Sequence, residues 1–222
     1  MVSSILPLSK EQSSVVLIGS FNPMIFQPSW FSDNDLIAES LTLEAQEVFI
    51  TRELSNFVVS NIHFQVEPSR FSLTTNDASM AFVLRDIAVG CFSVLEHTPL
   101  DLLGMNLDST FESIPNQKWE EMKYRLAPTA PWDSVLEKPQ MRVILMEGKR
   151  QGCEAAKISI RVQPQLPSNC IVAINQHYVL GKEERTSVQQ RNENALRALR
   201  EDWQSFRTYA QQTAPKLIMD GN

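Results

Sequence analysis

The stretch Ile62 to Pro68 reads Ile-His-Phe-Gln-Val-Glu-Pro, and ninety-six positions later Ile158 to Pro164 reads Ile-Ser-Ile-Arg-Val-Gln-Pro. Both copies alternate apolar and polar residues and both reach a proline. Alternation with a period of two puts every second side chain on one face of a pleated strand, so each copy predicts a strand that is buried on one side only. Proline has no backbone N–H to give to a ladder and is expected to stop each strand. Strands of this kind, met twice, constrain the chain to an antiparallel sheet whose apolar face is covered and whose polar face is open.

The rest of the chain arranges itself around that pair. A strand is expected over Val15–Phe21, a short helix opening at Pro28, and strands over Ile37–Ile50, Phe57–Val66 and Arg70–Thr75. Asn76-Asp77 is a plausible cap for a helix over Ala78–Leu95. That helix is apolar on more than one face, which implies burial on two sides. A second series follows: a strand over Leu100–Phe111, a helix opening at Pro115, strands over Met141–Glu147, Ala156–Val162 and Cys170–Tyr178, and a helix over Ser187–Gln211 with an apolar stripe at three- and four-residue steps. The order strand, helix, three strands, long helix therefore occurs twice. The expected fold is α+β, a curved antiparallel sheet built from two pseudo-repeated β-α-βββ-α halves whose long helices cover one face. The expected divisions are a disordered lead over 1–13, a first half over 14–99, a second half of the same domain over 100–212, and a tail over 213–222.

In element order, over about residues 14–212, this arrangement resembles the duplicated saddle of the TATA-box-binding-protein-like and helix-grip folds. At FNPMIFQPSWF (Phe21 to Phe31), HTPLDLLGMN (His97 to Asn106) and RLAPTAPW (Arg125 to Trp132) the chain is also similar to an uncharacterised bacterial protein family. That resemblance implies a bacterial cytoplasmic protein and transfers no catalytic residue.

Composition narrows the function classes. A formal net charge of -6 argues against a chain drawn as a whole to nucleic acid or to anionic membranes. Three cysteines, Cys91, Cys153 and Cys170, fit reduced thiols better than a disulfide framework. No basic and apolar leader opens the chain, so no signal peptide is expected, and no run is long enough to span a bilayer. Seven scattered glycines make no phosphate-cradling loop.

The polar strip of the expected sheet carries Asn61, His63, Gln65, Ser72, Thr74, Ser159, Arg161, Gln163, Asn175 and His177. It reads either as a binding surface or as the ordinary solvated face of a half-buried sheet. His63, Gln65, Arg161, Gln163 and His177 are its binding candidates. His97, at the expected end of a helix, is either a general base oriented by Asp101 or a residue capping terminal carbonyls. His63 and His177 would meet only if their strands were neighbours, and no cofactor or metal is expected. Lys149-Arg150 with Lys157 and Arg161 is the one local basic patch.

Taken together these readings favour a non-catalytic binding or assembly subunit of a cytoplasmic complex, whose partner is another protein or a second copy of itself. A hydrolase or lyase using His97 and Asp101 in a pocket lined by Trp30 and Trp119 is the alternative. A nucleic-acid binder using the polar sheet face is a third reading.

Overall fold

The computed structural model describes residues 8–150, 152–181 and 186–219. They form one nine-stranded sheet, antiparallel throughout, with helices on one side. Two twelve-residue strands make its centre: β1 (Leu8–Gly19) and β6 (Leu100–Phe111), paired along nearly their whole length. The remaining strands are β2 (Gln46–Ile50), β3 (Ser55–Val59), β4 (Ile62–Glu67), β5 (Arg70–Thr75), β7 (Ile144–Arg150), β8 (Cys153–Gln165) and β9 (Asn169–Val179). Outward from β1 the order is β5, β4, β3, β2; outward from β6 it is β9, β8, β7. The repeated sequence therefore falls on β4 and β8, each the third strand from the middle of its own half. The halves share a connectivity, and the first carries one extra strand at its edge.

The helices are α1 (Pro28–Asp33), α2 (Glu39–Thr42), α3 (Ala81–Val94), α4 (Asn116–Leu126) and α5 (Val188–Met219). α3 lies on β1 and β5, α5 lies on β6 and β9, and α4 packs on α5. The strands turn Val15, Leu17, Phe64, Val66, Leu73, Met105, Leu107, Val172 and Ile174 to that side, all fully or almost fully buried. α3 also packs against α5, and Asn192 Nδ2 of α5 donates to the Leu95 carbonyl at 3.4 Å. Part of the apolar surplus on α3 is thus met inside the chain, while Phe82, Val83 and Val94 remain partly exposed.

Several expectations need correction. The strand expected over Phe57–Val66 is two strands, β3 and β4, folded back at Ser60 and Asn61. Both turn residues have positive φ, 48° and 63°, and Val59 pairs with Ile62. This is a two-residue hairpin of the kind whose twist matches its strands. The buried side chains change parity there, from Phe57 and Val59 to Ile62, Phe64 and Val66, so Asn61 belongs to the turn and not to the polar strip. The strand expected over Ile37–Ile50 is α2 followed by the shorter β2, and Leu41 and Leu43 are exposed. Pro164 does not stop β8, because it sits at the rim of the sheet, still in register with Cys170. The lead was expected to be unstructured to residue 13, yet β1 begins at Leu8; residues 1–7 lie outside the described part. α5 runs through Pro215 to Met219, past the expected end at Gln211. Burial of Ala214 and Ile218 holds the last turns, and Arg125 Nη2 donates to the Leu217 carbonyl at 2.7 Å. Of the expected tail, residues 220–222 lie outside the described part.

No helix is long and apolar enough to cross a membrane among the described residues.

Candidate binding groove on the open sheet face

The face away from the helices is concave at its centre. Register assembles its floor in rows. One row runs Ser72, Val16, Gly104, His177, Lys157, Lys149 across β5, β1, β6, β9, β8 and β7. The next runs Thr74, Ser14, Asn106, Asn175, Ser159, Glu147 on the same strands. A third runs Gln12, Asp108, Ala173, Arg161, Leu145 from β1 to β7. Small residues stand at Ser14, Gly104, Ala173 and Ser159, and longer ones rise beside them. The result is a groove of about 610 Å³.

Its polar groups are tied to one another. Asn175 Nδ2 donates to Asn106 Oδ1 at 2.6 Å, and His177 Nδ1 lies 3.2 Å from Asn175 Oδ1. Gly104 makes room for this pair: a Cβ there would come within 3.1 Å of Asn175 Nδ2. Arg161 Nη1 donates to Gln163 Oε1 at 2.9 Å. Asp108 and Arg161 flank Ala173, whose methyl leaves space between them. Burial raises the Asp108 carboxyl above its ordinary value, and the Arg161 charge only partly counters it. A half-buried carboxylate with a raised pKa costs some folding energy at neutral pH.

His63 and Gln65 also face this side, but from β4, outside the groove. His63 Nε2 lies 2.7 Å from Asn56 Oδ1, and Gln65 Nε2 donates to Glu67 Oε1 at 2.9 Å. His63 borders a neighbouring hollow of about 660 Å³ shared with Gln12, Thr74 and Asp77. His63 and His177 do not meet: β5, β1 and β6 stand between their strands, a separation of roughly 19 Å along the sheet at the usual strand spacing. Among the described residues no three His, Cys, Asp or Glu side chains gather to hold a metal ion.

The pair proposed for catalysis does not assemble. The His97 side chain is 83% exposed and sits 3.5 Å from Glu96. Asp101 is held by Arg191 Nη1 at 2.6 Å. Trp30 packs with Phe26 and Phe31, whereas Trp119 is buried in α4 beneath Lys123. These four residues share none of the hollows described. The basic patch is divided as well, since Lys149, Lys157 and Arg161 face the groove side while Arg150 turns to the helices.

Sequence reasoning missed a polar cluster on that helix side. Gln176 occupies an inward position of β9 and is wholly buried. Arg150 Nη1 donates to Gln176 Oε1 at 2.9 Å, Gln176 Nε2 donates to Tyr178 Oη, and the Tyr178 hydroxyl donates to Asp202 Oδ2 at 2.7 Å. Burial and then the Asp202 carboxylate push the Tyr178 hydroxyl far above its ordinary value. A glutamine at an inward position of an alternating strand was the available signal. A second missed group is the buried pair of Arg207 and Glu11, 3.0 Å apart, with Arg207 also donating to Ser13 Oγ.

No protein-family model matches the chain, and no curated protein matches it either.

Proposed function

We propose that this protein is a non-catalytic binding protein of the cytoplasm, serving as a subunit of a complex, and that it takes its ligand in the groove of the open sheet face. The observation that carries this reading is the groove itself. Asn106, Asp108, Arg161, Asn175 and His177 converge on its floor from three strands. Polar groups at this density on a concave surface suit a ligand with hydrogen-bonding groups along its length. Asp108 adds a half-buried carboxylate to that floor, across Ala173 from the Arg161 guanidinium.

The test is native mass spectrometry of the protein purified gently from its own source. A bound species is expected on the 25.2 kDa chain, lost in Asn175→Leu and in Arg161→Glu, and retained in His97→Ala. A chain that carries nothing, or a bound species indifferent to both groove substitutions, rules the groove out.

A further inference from the structure

The sheet is open, so it ends in two edges, and they differ. β2 is five residues long, its register with β3 shifts between Gln46 and Phe49, and Glu47 has φ 53°. That is a bulge, a device that blunts an edge against further pairing. β7 is seven residues long and keeps one unbroken register with β8 from Ile144 to Lys149. Leu145 and Met146, on its two faces, are 59% and 65% exposed. A regular edge strand offers a row of backbone donors and acceptors to another strand.

We propose that β7 pairs antiparallel with β7 of a second copy of this chain, about a two-fold axis through Gly148. Three observations select the partner and the register. Residues that face each other across such an axis share a side of the sheet, so the axis must pass beside one residue of β7. Placed at Gly148, it sets Glu147 opposite Lys149 of the second copy, twice over; placed at Glu147, it sets two carboxylates face to face. Lys149 already stands opposite Lys157 within its own chain, a like-charge pair, and Glu147 of the second copy offsets it from the other flank. A Cβ on Gly148 would meet nothing within 4 Å. Packing inside the chain therefore gives no reason for a glycine there, while close approach of two backbones does. The inference does not rest on the groove, but it extends it: Leu145 lines the groove, and pairing at β7 joins the open faces of two copies.

The experiment is sedimentation of the full chain over a wide concentration range. A species of twice 25.2 kDa is expected, dissociating on dilution. Glu147→Lys and Lys149→Glu each weaken it by about tenfold in Kd, roughly 1.4 kcal/mol, and the double exchange restores it. Phe49→Asp, on the opposite edge, leaves it unchanged. Both charged positions are exposed, and circular dichroism confirms that each variant is folded. A monomer at every concentration overturns the proposal. So does a dimer indifferent to the single substitutions, a double exchange as weak as the singles, or a dimer lost in Phe49→Asp.

Discussion

The two halves of the sheet follow one connectivity and fill it with different chemistry. Under the first half, Phe21, Phe26, Phe31, Phe57, Phe64, Phe71 and Phe92 form a continuous aromatic cluster, mostly edge-to-face, with Phe57 and Phe64 stacked at 4.5 Å. α1 enters that cluster through Phe31, and β2 closes the outer edge with a bulge. Under the second half the core is aliphatic around Trp119, Trp203 and Phe206, and it admits the Gln176, Tyr178 and Asp202 cluster. Its outer strand is regular and exposed. Aromatic packing is dense and insensitive to conditions, whereas hydrogen-bonded polar groups are conditional on protonation and geometry. The first half is thus built to hold shape. The second keeps most of the titratable groups and the open edge.

Substitutions at matched positions sharpen this contrast. Phe64 and Ile160 hold corresponding places in β4 and β8. Phe64→Ala should cost about 3–5 kcal/mol in urea unfolding, the usual loss for a buried phenylalanine. Ile160→Ala, at a partly exposed position, should cost less than about 2 kcal/mol. Equal losses would erase the distinction. Arg207→Ala leaves Glu11 buried without its cation and should cost about 3 kcal/mol, measured the same way. Tyr178→Phe should cost about 1 kcal/mol at neutral pH and should flatten the alkaline limb of stability. The sign follows from the raised hydroxyl: the unfolded chain releases this proton near pH 10.0 and the folded chain holds it. Stability therefore falls as pH rises above that value. Cys170, pushed up to about 12 by burial, acts on the same limb, so the variant removes only part of the slope. The smallest effect belongs to Asp108→Asn, which removes a carboxylate raised by burial. Its melting temperature should rise slightly at neutral pH, where the carboxylate is charged, with no gain well below pH 3.8.

The sheet was legible wherever one side of a strand is buried. β6 was predicted at its observed bounds, and the alternating stretches at Ile62 and Ile158 do lie in strands, β4 and β8. What sequence hid was local chemistry. The turn at Ser60 and Asn61 carries no glycine, and only the parity change of the apolar residues marks it. The last helix was expected to end at Gln211, because nothing along the chain announces that Ala214 and Ile218 are buried. In the groove, Arg161 and His177 were named from alternation. Asn106 and Asp108 were passed over, because the expected polar strip was drawn from the strands that flank β1 and β6. Those residues break the apolar pattern on the face that needs no apolar pattern. His97 drew notice as a histidine at the expected end of a helix, and its exposure could not be seen without the fold.

The Arg207–Glu11 pair spans 196 positions of sequence, and Gln211 adds its own bonds to the same carboxylate. β1 is the centre of the sheet, yet one of its buried charges meets its counter-charge only from the last helix. During synthesis, therefore, β1 can meet β5 and β6 well before this charge is matched. The first half can gather its phenylalanines early, but the central strand keeps an uncompensated carboxylate until α5 leaves the ribosome. Such delayed, non-local closure slows folding and leaves apolar strand surface waiting in the nascent chain.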